Sequence, residues 1–115
     1  MVNRGEVWWY EHPAAGRRPY LILTRDEAIP VLSRILAAPA TRTVRGIPTE
    51  VPLDASDGMP APCVLALDNL ESIRRSLCTE RITQLGPEQM EMAWSVTSES
   101  ALFTSRRWLF TSHGS

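Results

Sequence analysis

The chain carries the side chains that phosphate and proton chemistry require, at widely separated positions. Arg18 has a planar guanidinium that can hold two phosphate oxygens, although its pKa above ~12 makes it a poor base. The Thr41 hydroxyl can donate a hydrogen bond but does not titrate usefully. Asp68 could act as a general base, and His12 has an intrinsic pKa suited to proton transfer. Each residue also has a plain structural explanation at a strand end, turn or loop, so residue type alone assigns no function.

The charged residues are balanced in number but unusual in kind. All 12 basic residues are arginine, and the formal net charge is −1. This balance argues against a broad basic surface for nucleic acid, while every cation present is a fork that can grip a phosphate. A GC-rich genome would give the same arginine bias without any functional cause.

Length and composition indicate one globular domain with a modest core. The chain has 115 residues, of which 43% are hydrophobic, and no apolar run approaches the ~20 residues that span a bilayer. Arg4 and Glu6 stand where a secretion signal would need an apolar stretch, so none is expected. Cys63 and Cys78 form no disulfide framework or zinc pattern and are expected to be free or buried thiols in a reducing compartment.

Short apolar runs separated by turn residues predict a mostly-β domain. Pro19 forces Arg18 into an extended backbone, so the first two strands are expected to form an antiparallel hairpin. Pro39 lies inside the third strand and should therefore sit at an edge or a bulge. The expected strands are residues 5–11, 18–25, 33–41, 49–53, 63–67 and 81–85. Trp8 and Trp9 alternate across the first strand, so one ring is expected to face the core and the other to face outward.

A helix is expected to follow the last strand. Residues 86–88 read Gly-Pro-Glu, which suits a first helical turn, and Glu91 suits the same positive end. One face of this helix is expected to pack on the core, through Met90, Ala93, Trp94, Thr97 and Ala101. Short strands with one late helix predict an α+β, mostly β fold: a small, strongly curved antiparallel barrel capped by a C-terminal helix.

Three segments in order resemble one known family. They are RGEVWW at residues 4–9, GRRPYLILT at residues 16–24 and AAPATRTVRGIPTEV at residues 37–51. Together they resemble the MazF/PemK (Kid) family of toxin endoribonucleases. The resemblance implies an SH3-like barrel of the CcdB/PemK type, with a toxin domain at residues 1–102 and an extension of unknown role at residues 103–115.

The resemblance implies the toxin of a type II toxin–antitoxin pair that cleaves single-stranded RNA sequence-selectively. Such an enzyme needs no metal and no cofactor, because the RNA 2′-hydroxyl is the nucleophile. The products would be a 2′,3′-cyclic phosphate and a 5′-hydroxyl, and DNA would resist. The target could be messenger, transfer or ribosomal RNA.

The resemblance also assigns roles to particular residues. Arg18 matches the arginine of the family's G-x-R-P motif, and Thr41 matches its catalytic Thr or Ser, so both are expected to hold the scissile phosphate. Asp68, or else His12, would handle the proton. Further RNA contacts are expected from Arg17, Arg42, Thr43, Asn69 and Trp9. Arg17, Arg18, Arg42 and Arg45 would form a local basic patch.

The family further implies partners. They are a second copy of the chain in a homodimer, and a MazE-like antitoxin whose disordered acidic segment enters the RNA groove. The expected location is cytoplasmic, without membrane contact.

Two departures from the family stand out. Residues 11–18 make a short first connection, and residues 103–115 extend past the usual end and are expected to bury against something. The alternative function is a non-catalytic CcdB-like toxin that binds a protein such as gyrase, and an inert adaptor on the same barrel is a third reading.

Overall fold

The structure is a computed structural model, and it describes residues 2–96. Seven antiparallel strands form the domain, followed by a helix, α1, over residues 87–96. The strands are β1 (Glu6–His12), β2 (Gly16–Ile22), β3 (Arg34–Thr41), β4 (Glu50–Leu53), β5 (Cys63–Ala66), β6 (Glu71–Arg74) and β7 (Cys78–Gln84). The predicted mostly-β fold with a late helix is confirmed. No helix in this part of the chain is both long and apolar enough to cross a membrane.

The sheet curls so that its two ends approach each other. Its strand order is β4-β5-β3-β2-β1-β7, with β6 as an additional partner of β3. The Thr83 hydroxyl on β7 donates to the carbonyl of Asp57, which follows β4, over 3.0 Å. This bond links the opposite ends of the strand order and gives the curvature expected of a small barrel.

Strand β3 is the central element because it changes partner along its length. Residues 34–37 pair with β6, while Ala40 and Thr41 pair with β5. Pro39 pairs with Tyr20 of β2 on one side and falls between those two pairings on the other. Of the two expected positions, an edge or a bulge, the edge is wrong, because β3 has partners on both sides. Pro39 lies where the hydrogen-bond ladder of β3 is interrupted, so its missing N–H costs little.

Two hydrophobic clusters pack on opposite faces of β2 and β3. Leu21 and Ala38 belong to one cluster, with Leu65 and Ala93. The alternating positions Tyr20, Ile22, Ile35 and Ala37 belong to the other. Because side chains alternate along a strand, the continuous apolar run at residues 20–23 supplies both clusters at once.

The tryptophans of β1 are both half-buried, so the predicted division into an inward and an outward ring holds in direction, but Trp8 is not enclosed by the core. The neighbours Val7 and Tyr10 fill the clusters instead. Trp8 packs against the second cluster, and Trp9 lies at the rim of the sheet. The register between β1 and β7 shifts on either side of the two tryptophans, so the regular pairing of β1 is interrupted there.

Helix α1 packs on the barrel through part of its predicted face. Ala93 is fully buried and Met90 packs against the first cluster, as expected. Trp94 is 45% exposed, so its predicted core position is wrong; the guanidinium of Arg4 lies 4.4 Å from its ring centroid instead. The expectations for Thr97, Ala101 and the extension at residues 103–115 lie outside the described residues.

The late strands differ most from expectation. Strand β6 was not expected from the sequence, and Ile73 is the one fully buried side chain among its four residues. The last strand, expected at residues 81–85, begins at Cys78 as β7. Both segments are rich in polar residues and are ordered by pairing with β3 and β1, a tertiary contribution that local composition does not contain.

Glu6 is a buried carboxylate at the start of β1. Its side chain is 5% exposed, and it accepts hydrogen bonds from the Asn3 N–H at 2.7 Å, Trp8 Nε1 at 3.1 Å and an Arg81 Nη1 at 3.0 Å. Burial alone would raise the pKa of Glu6, but these donors outweigh it and hold the pKa below the ordinary value.

We expect Glu6→Gln to destabilise the domain by about 1–3 kcal/mol at pH 7, because charged hydrogen bonds to a buried group are lost. A lowered folded-state pKa gives stability that is present above the unfolded value and disappears as the pH falls through the folded value. The difference between wild type and variant should therefore shrink below about pH 4. Denaturant titrations from pH 7 to pH 3 measure it, with the exposed Glu27→Gln as control. A difference that stays constant with pH would contradict a role for the charge.

Candidate active site

A cleft of about 200 Å³, here the Arg18 cleft, brings together residues from four separate segments. Arg18 comes from β2, Thr41 from the end of β3, Asn69 from the turn after β5 and Glu71 from the start of β6. Its polar lining is completed by Thr43 and Arg45. Four of the predicted site residues, Arg18, Thr41, Thr43 and Asn69, therefore share one cavity.

Arg18 reaches this cleft from an exposed position on β2. It pairs with Tyr10 across the hairpin, and Pro19 follows it in extended backbone opposite Trp9. Its guanidinium forms no ion pair with any residue that the structure describes. The fork is therefore available to an anionic ligand in the cleft.

Thr41 lies where β3 ends, paired with Val64 of β5. Its Oγ1 accepts a hydrogen bond from the backbone N–H of Thr43 at 3.1 Å. This contact uses an acceptor lone pair and fixes the side chain, while the hydroxyl proton remains available to donate. The local turn thus orients Thr41 as a donor toward the cleft.

A second cleft of about 270 Å³, here the Trp9 cleft, adjoins the first at Thr41. Trp9, Arg17 and Arg42 line it, together with Cys63. The Arg17 guanidinium lies 4.6 Å from the Trp9 ring centroid and pairs with Glu80 at 2.9 Å. The Trp9 face is therefore covered by Arg17, which a stacking base would have to displace.

Asp68 is joined to Arg45 and does not line the Arg18 cleft. Its two oxygens accept from the Arg45 guanidinium at 2.8 and 3.1 Å, a bidentate pair. These hydrogen bonds hold the pKa of Asp68 below its usual range. A carboxylate held in this way is ionised at neutral pH, but its lowered basicity weakens it as a proton acceptor.

Arg45 also organises the loop between β3 and β4. Its Nε donates to Glu50 at 2.9 Å, and the Glu50 carboxylate accepts the backbone N–H groups of Arg45 and Gly46, each at 2.9 Å. The predicted basic patch is therefore only partly present, because Arg45 and Arg17 are paired with carboxylates. Arg18 and Arg42 make no such pair with described residues.

His12 lies at the end of β1, in a third cleft of about 410 Å³ that shares Glu71 with the Arg18 cleft. Its Nδ1 accepts the backbone N–H groups of Ala14 and Ala15, both at 3.0 Å. Its Nε2 lies 3.5 Å from Glu71 Oε1. The short turn between β1 and β2 is thus fixed by the histidine, which does not enter the Arg18 cleft.

Glu71 and its partner Tyr20 were not among the site residues expected from the sequence. The Tyr20 hydroxyl donates to Glu71 Oε2 at 2.8 Å, and burial, followed by this bond, raises the pKa of Tyr20. The residues lie 51 positions apart, so no local pattern joins them. The local sequence carries no periodic signal for β6, because Ile73 is the one apolar residue among its four positions.

The remaining reactive groups lie apart from this arrangement. Cys63 and Cys78 are free and half-buried, and burial raises the pKa of Cys78 to about 11. Within residues 2–96, no three His, Cys, Asp or Glu side chains are grouped in a way that could hold a metal ion.

The chain matches one known protein family in sequence over most of its length. The model of the family described as "PemK-like, MazF-like toxin of type II toxin-antitoxin system" matches residues 3–95. The chain is 44% identical over 91 residues to "Probable endoribonuclease MazF5" of Mycobacterium tuberculosis, covering 78% of this chain and 84% of the relative. It is 36% identical over 93 residues to "Probable endoribonuclease MazF2" of the same species, covering 80% and 90%.

Solved structures agree with this assignment. The M. tuberculosis toxin MazF-mt6 superposes with a TM-score of 0.75 at 33% identity, covering 83% of this chain and 94% of that one. A MazE–MazF structure from Deinococcus radiodurans gives a TM-score of 0.74 at 25% identity, covering 86% and 93%. Neither these relatives nor the family match favours the gyrase-binding alternative. The resemblance seen in three sequence segments is thus confirmed over most of the domain, and the chain belongs to the PemK-like, MazF-like toxins of type II toxin–antitoxin systems.

Proposed function

We propose that this protein is the toxin of a type II toxin–antitoxin pair and acts as a metal-independent, sequence-selective endoribonuclease on single-stranded RNA. The observation that carries this proposal is the shared cleft of Arg18 and Thr41. An unpaired guanidinium fork and an oriented hydroxyl lie in one cavity, although β2 and β3 supply them from distant parts of the sequence.

The chemistry follows from what these groups can do. The RNA 2′-hydroxyl attacks the adjacent phosphorus, and charge accumulates on the non-bridging phosphate oxygens. Arg18 and the Thr41 hydroxyl donate to those oxygens and stabilise the transition state more than the ground state. The bond to the 5′-oxygen then breaks, leaving a 2′,3′-cyclic phosphate and a 5′-hydroxyl.

The RNA runs through both joined clefts in this proposal. A phosphate at Thr41 lies at the boundary between the Arg18 cleft and the Trp9 cleft, so flanking nucleotides extend into each. Arg42 and Arg17 would hold neighbouring phosphates, while Trp9 offers a stacking ring for a base once Arg17 moves. Thr43 and Asn69 lie where they could bind a base edge.

The sequence suggested Asp68 or His12 for the proton transfer, and neither is placed to reach a nucleotide in the Arg18 cleft as it stands. Asp68 is ionised but tied to Arg45, and His12 uses its Nδ1 lone pair in the β1–β2 turn. Either residue would need a local rearrangement to reach a nucleotide bound in the Arg18 cleft.

The proposed partners follow from the family. One protein of the same fold, from a mycobacterial species, is an endoribonuclease in complex with its cognate antitoxin, and the Deinococcus radiodurans structure contains MazE with MazF. For this chain we propose a homodimer in the cytoplasm and a MazE-like antitoxin. Its acidic segment would bind the unpaired guanidinium of Arg18 in place of RNA.

Incubation of the purified protein with a long RNA transcript and excess chelator tests the proposed function. We expect cleavage at defined sites, fragments with a cyclic 3′ end, and no cleavage when the scissile nucleotide carries a 2′-deoxy sugar, because the nucleophile is then absent. Mapping the 5′ ends of the fragments identifies the recognition sequence. Intact RNA together with inhibited gyrase would favour the CcdB-like alternative, and intact RNA without growth arrest would favour an inert adaptor.

A further inference from the structure

Glu71 occupies the junction between the Arg18 cleft and the cleft that contains His12. It is the first residue of β6 and pairs with Ala37 in the centre of β3, so its backbone position is fixed by the sheet. Its side chain is 36% exposed and lines both cavities. A ligand bound in the Arg18 cleft therefore meets this carboxylate.

Each oxygen of the Glu71 carboxylate faces a protein donor. Oε2 accepts from the Tyr20 hydroxyl at 2.8 Å, and Oε1 lies 3.5 Å from His12 Nε2. Tyr20 is 1% exposed, so its hydroxyl is a fixed donor anchored in the second hydrophobic cluster. These contacts aim the carboxylate while leaving lone pairs free on both oxygens.

His12 is arranged to support Glu71 rather than to take a proton itself. Its Nδ1 lone pair accepts two backbone N–H groups, from Ala14 and Ala15. The neutral ring then carries its hydrogen on Nε2, which faces Glu71. To accept a proton, the imidazole would have to break both hydrogen bonds of the β1–β2 turn.

Asp68 is the other carboxylate near the site, and its position is less suitable. Both of its oxygens are bound by Arg45, and it lies outside the wall of the Arg18 cleft. Among the residues that the structure describes, Glu71 is the only carboxylate that lines this cleft with Arg18 and Thr41.

We propose that Glu71 is the general base that accepts the proton of the RNA 2′-hydroxyl, with Tyr20 and His12 as its positioning residues. This inference rests on the proposed endoribonuclease function. A Glu71 oxygen takes the 2′-hydroxyl proton, the 2′-oxygen bonds to phosphorus, and the bond from phosphorus to the 5′-oxygen breaks. The 5′-oxygen takes a proton from solvent water, and the hydroxide formed recovers the proton from Glu71.

Single-turnover kinetics of Glu71→Gln and Glu71→Ala test this role. The substrate is a fluorescent oligoribonucleotide carrying one mapped cleavage site, and the same oligonucleotide with a 2′-deoxy scissile nucleotide reports binding alone. Glu71→Gln keeps an oxygen that accepts from Tyr20, so the fold is preserved, and thermal unfolding of both variants checks this. Glu27→Gln is the matched control, since it removes the same charge from an exposed loop outside these clefts.

We expect both variants to lose about 10²–10⁴ in cleavage rate, the usual contribution of a general base. Binding of the 2′-deoxy oligonucleotide should be unchanged or tighter, because a negative charge leaves a phosphate-binding cleft. Added formate should restore cleavage to Glu71→Ala, where space is open, but not to Glu71→Gln. A residue that only supports the fold would show no such rescue.

Three results would overturn the inference while leaving the proposed function intact, provided that the wild type cleaves and Arg18→Ala does not. One is Glu71→Gln cleaving at the wild-type rate. Another is a rate loss matched by an equal loss of binding. The third is a folded Glu71→Ala that formate does not rescue. If Asp68→Asn abolishes cleavage in the same assay and Glu71→Gln does not, Asp68 is the base. A wild type that cleaves no RNA removes the proposed function itself.

Discussion

Replacement of Arg18 by alanine should reduce RNA cleavage by about 10²–10³ while the protein stays folded, since one transition-state donor is worth that much. The guanidinium is exposed at the rim of β2 and makes no ion pair with described residues, so its removal leaves no buried partner unsatisfied. The loss should fall on the single-turnover rate rather than on RNA binding, because we propose that Arg18 stabilises the charge that develops during the reaction. Cleavage of a mapped oligoribonucleotide, with thermal unfolding measured in parallel, gives both quantities.

Two further variants test whether the bidentate geometry of the Arg18 guanidinium matters, rather than its charge alone. Arg18→Lys retains a cation but loses bidentate geometry, and it should recover only part of the rate. Arg25→Ala removes an equally exposed arginine outside the clefts and should cleave normally. Arg18→Ala cleaving as fast as wild type, or Arg25→Ala losing as much, would contradict the assignment.

The hairpin that presents Arg18 was predictable because its signals are local. Pro19 restricts the preceding residue, and the run at residues 20–23 is apolar enough to mark a buried strand whatever lies around it. The position of Thr41 at a strand end followed from the polar residues after it. Their shared cleft did not follow from these signals, since β2 and β3 meet only through their pairing at residues 37–39. The family resemblance supplied that step.

The contacts around the site were less predictable because they join distant segments. The orientation of the Glu71 carboxylate depends on its contacts with Tyr20 and His12. Its strand, β6, is a mostly polar tetrapeptide that is ordered by pairing with β3. Arg45 looks like a free cation in the sequence, yet it pairs with Glu50 of β4 and with Asp68 after β5, which the pairing of those two strands brings together. Tertiary pairing therefore determines which carboxylate lines the cleft and which arginines are paired with carboxylates.

These ion pairs determine which arginines remain available to bind RNA phosphates. The arginines that sequence analysis grouped as a basic patch divide into two that are tied to carboxylates, Arg17 and Arg45, and two that are not, Arg18 and Arg42. A protein of net charge −1 then offers few strong phosphate contacts, placed beside the reacting position. RNA selection must consequently depend on base contacts and shape more than on general electrostatic attraction.

Thr41→Val should lower the cleavage rate by about 10²–10³, comparable to the loss of other donors to a developing oxyanion. Valine matches the shape of threonine and favours a strand, so β3 should keep its pairing with β5. It removes both the donor to the phosphate and the acceptor for the Thr43 N–H. Thr41→Ser retains the hydroxyl and should stay close to the wild-type rate.

The Thr41→Val and Arg18→Ala double variant decides whether the two side chains act on one phosphate. If both donate to the same phosphodiester, each single variant already disrupts the arrangement, and the double variant should lose less than the product of the single losses. Independent action would give the full product. Single-turnover rates of the wild type, the two single variants and the double variant measure this coupling directly. A double variant that loses the full product of the two single losses would contradict a shared phosphate, despite the common cleft.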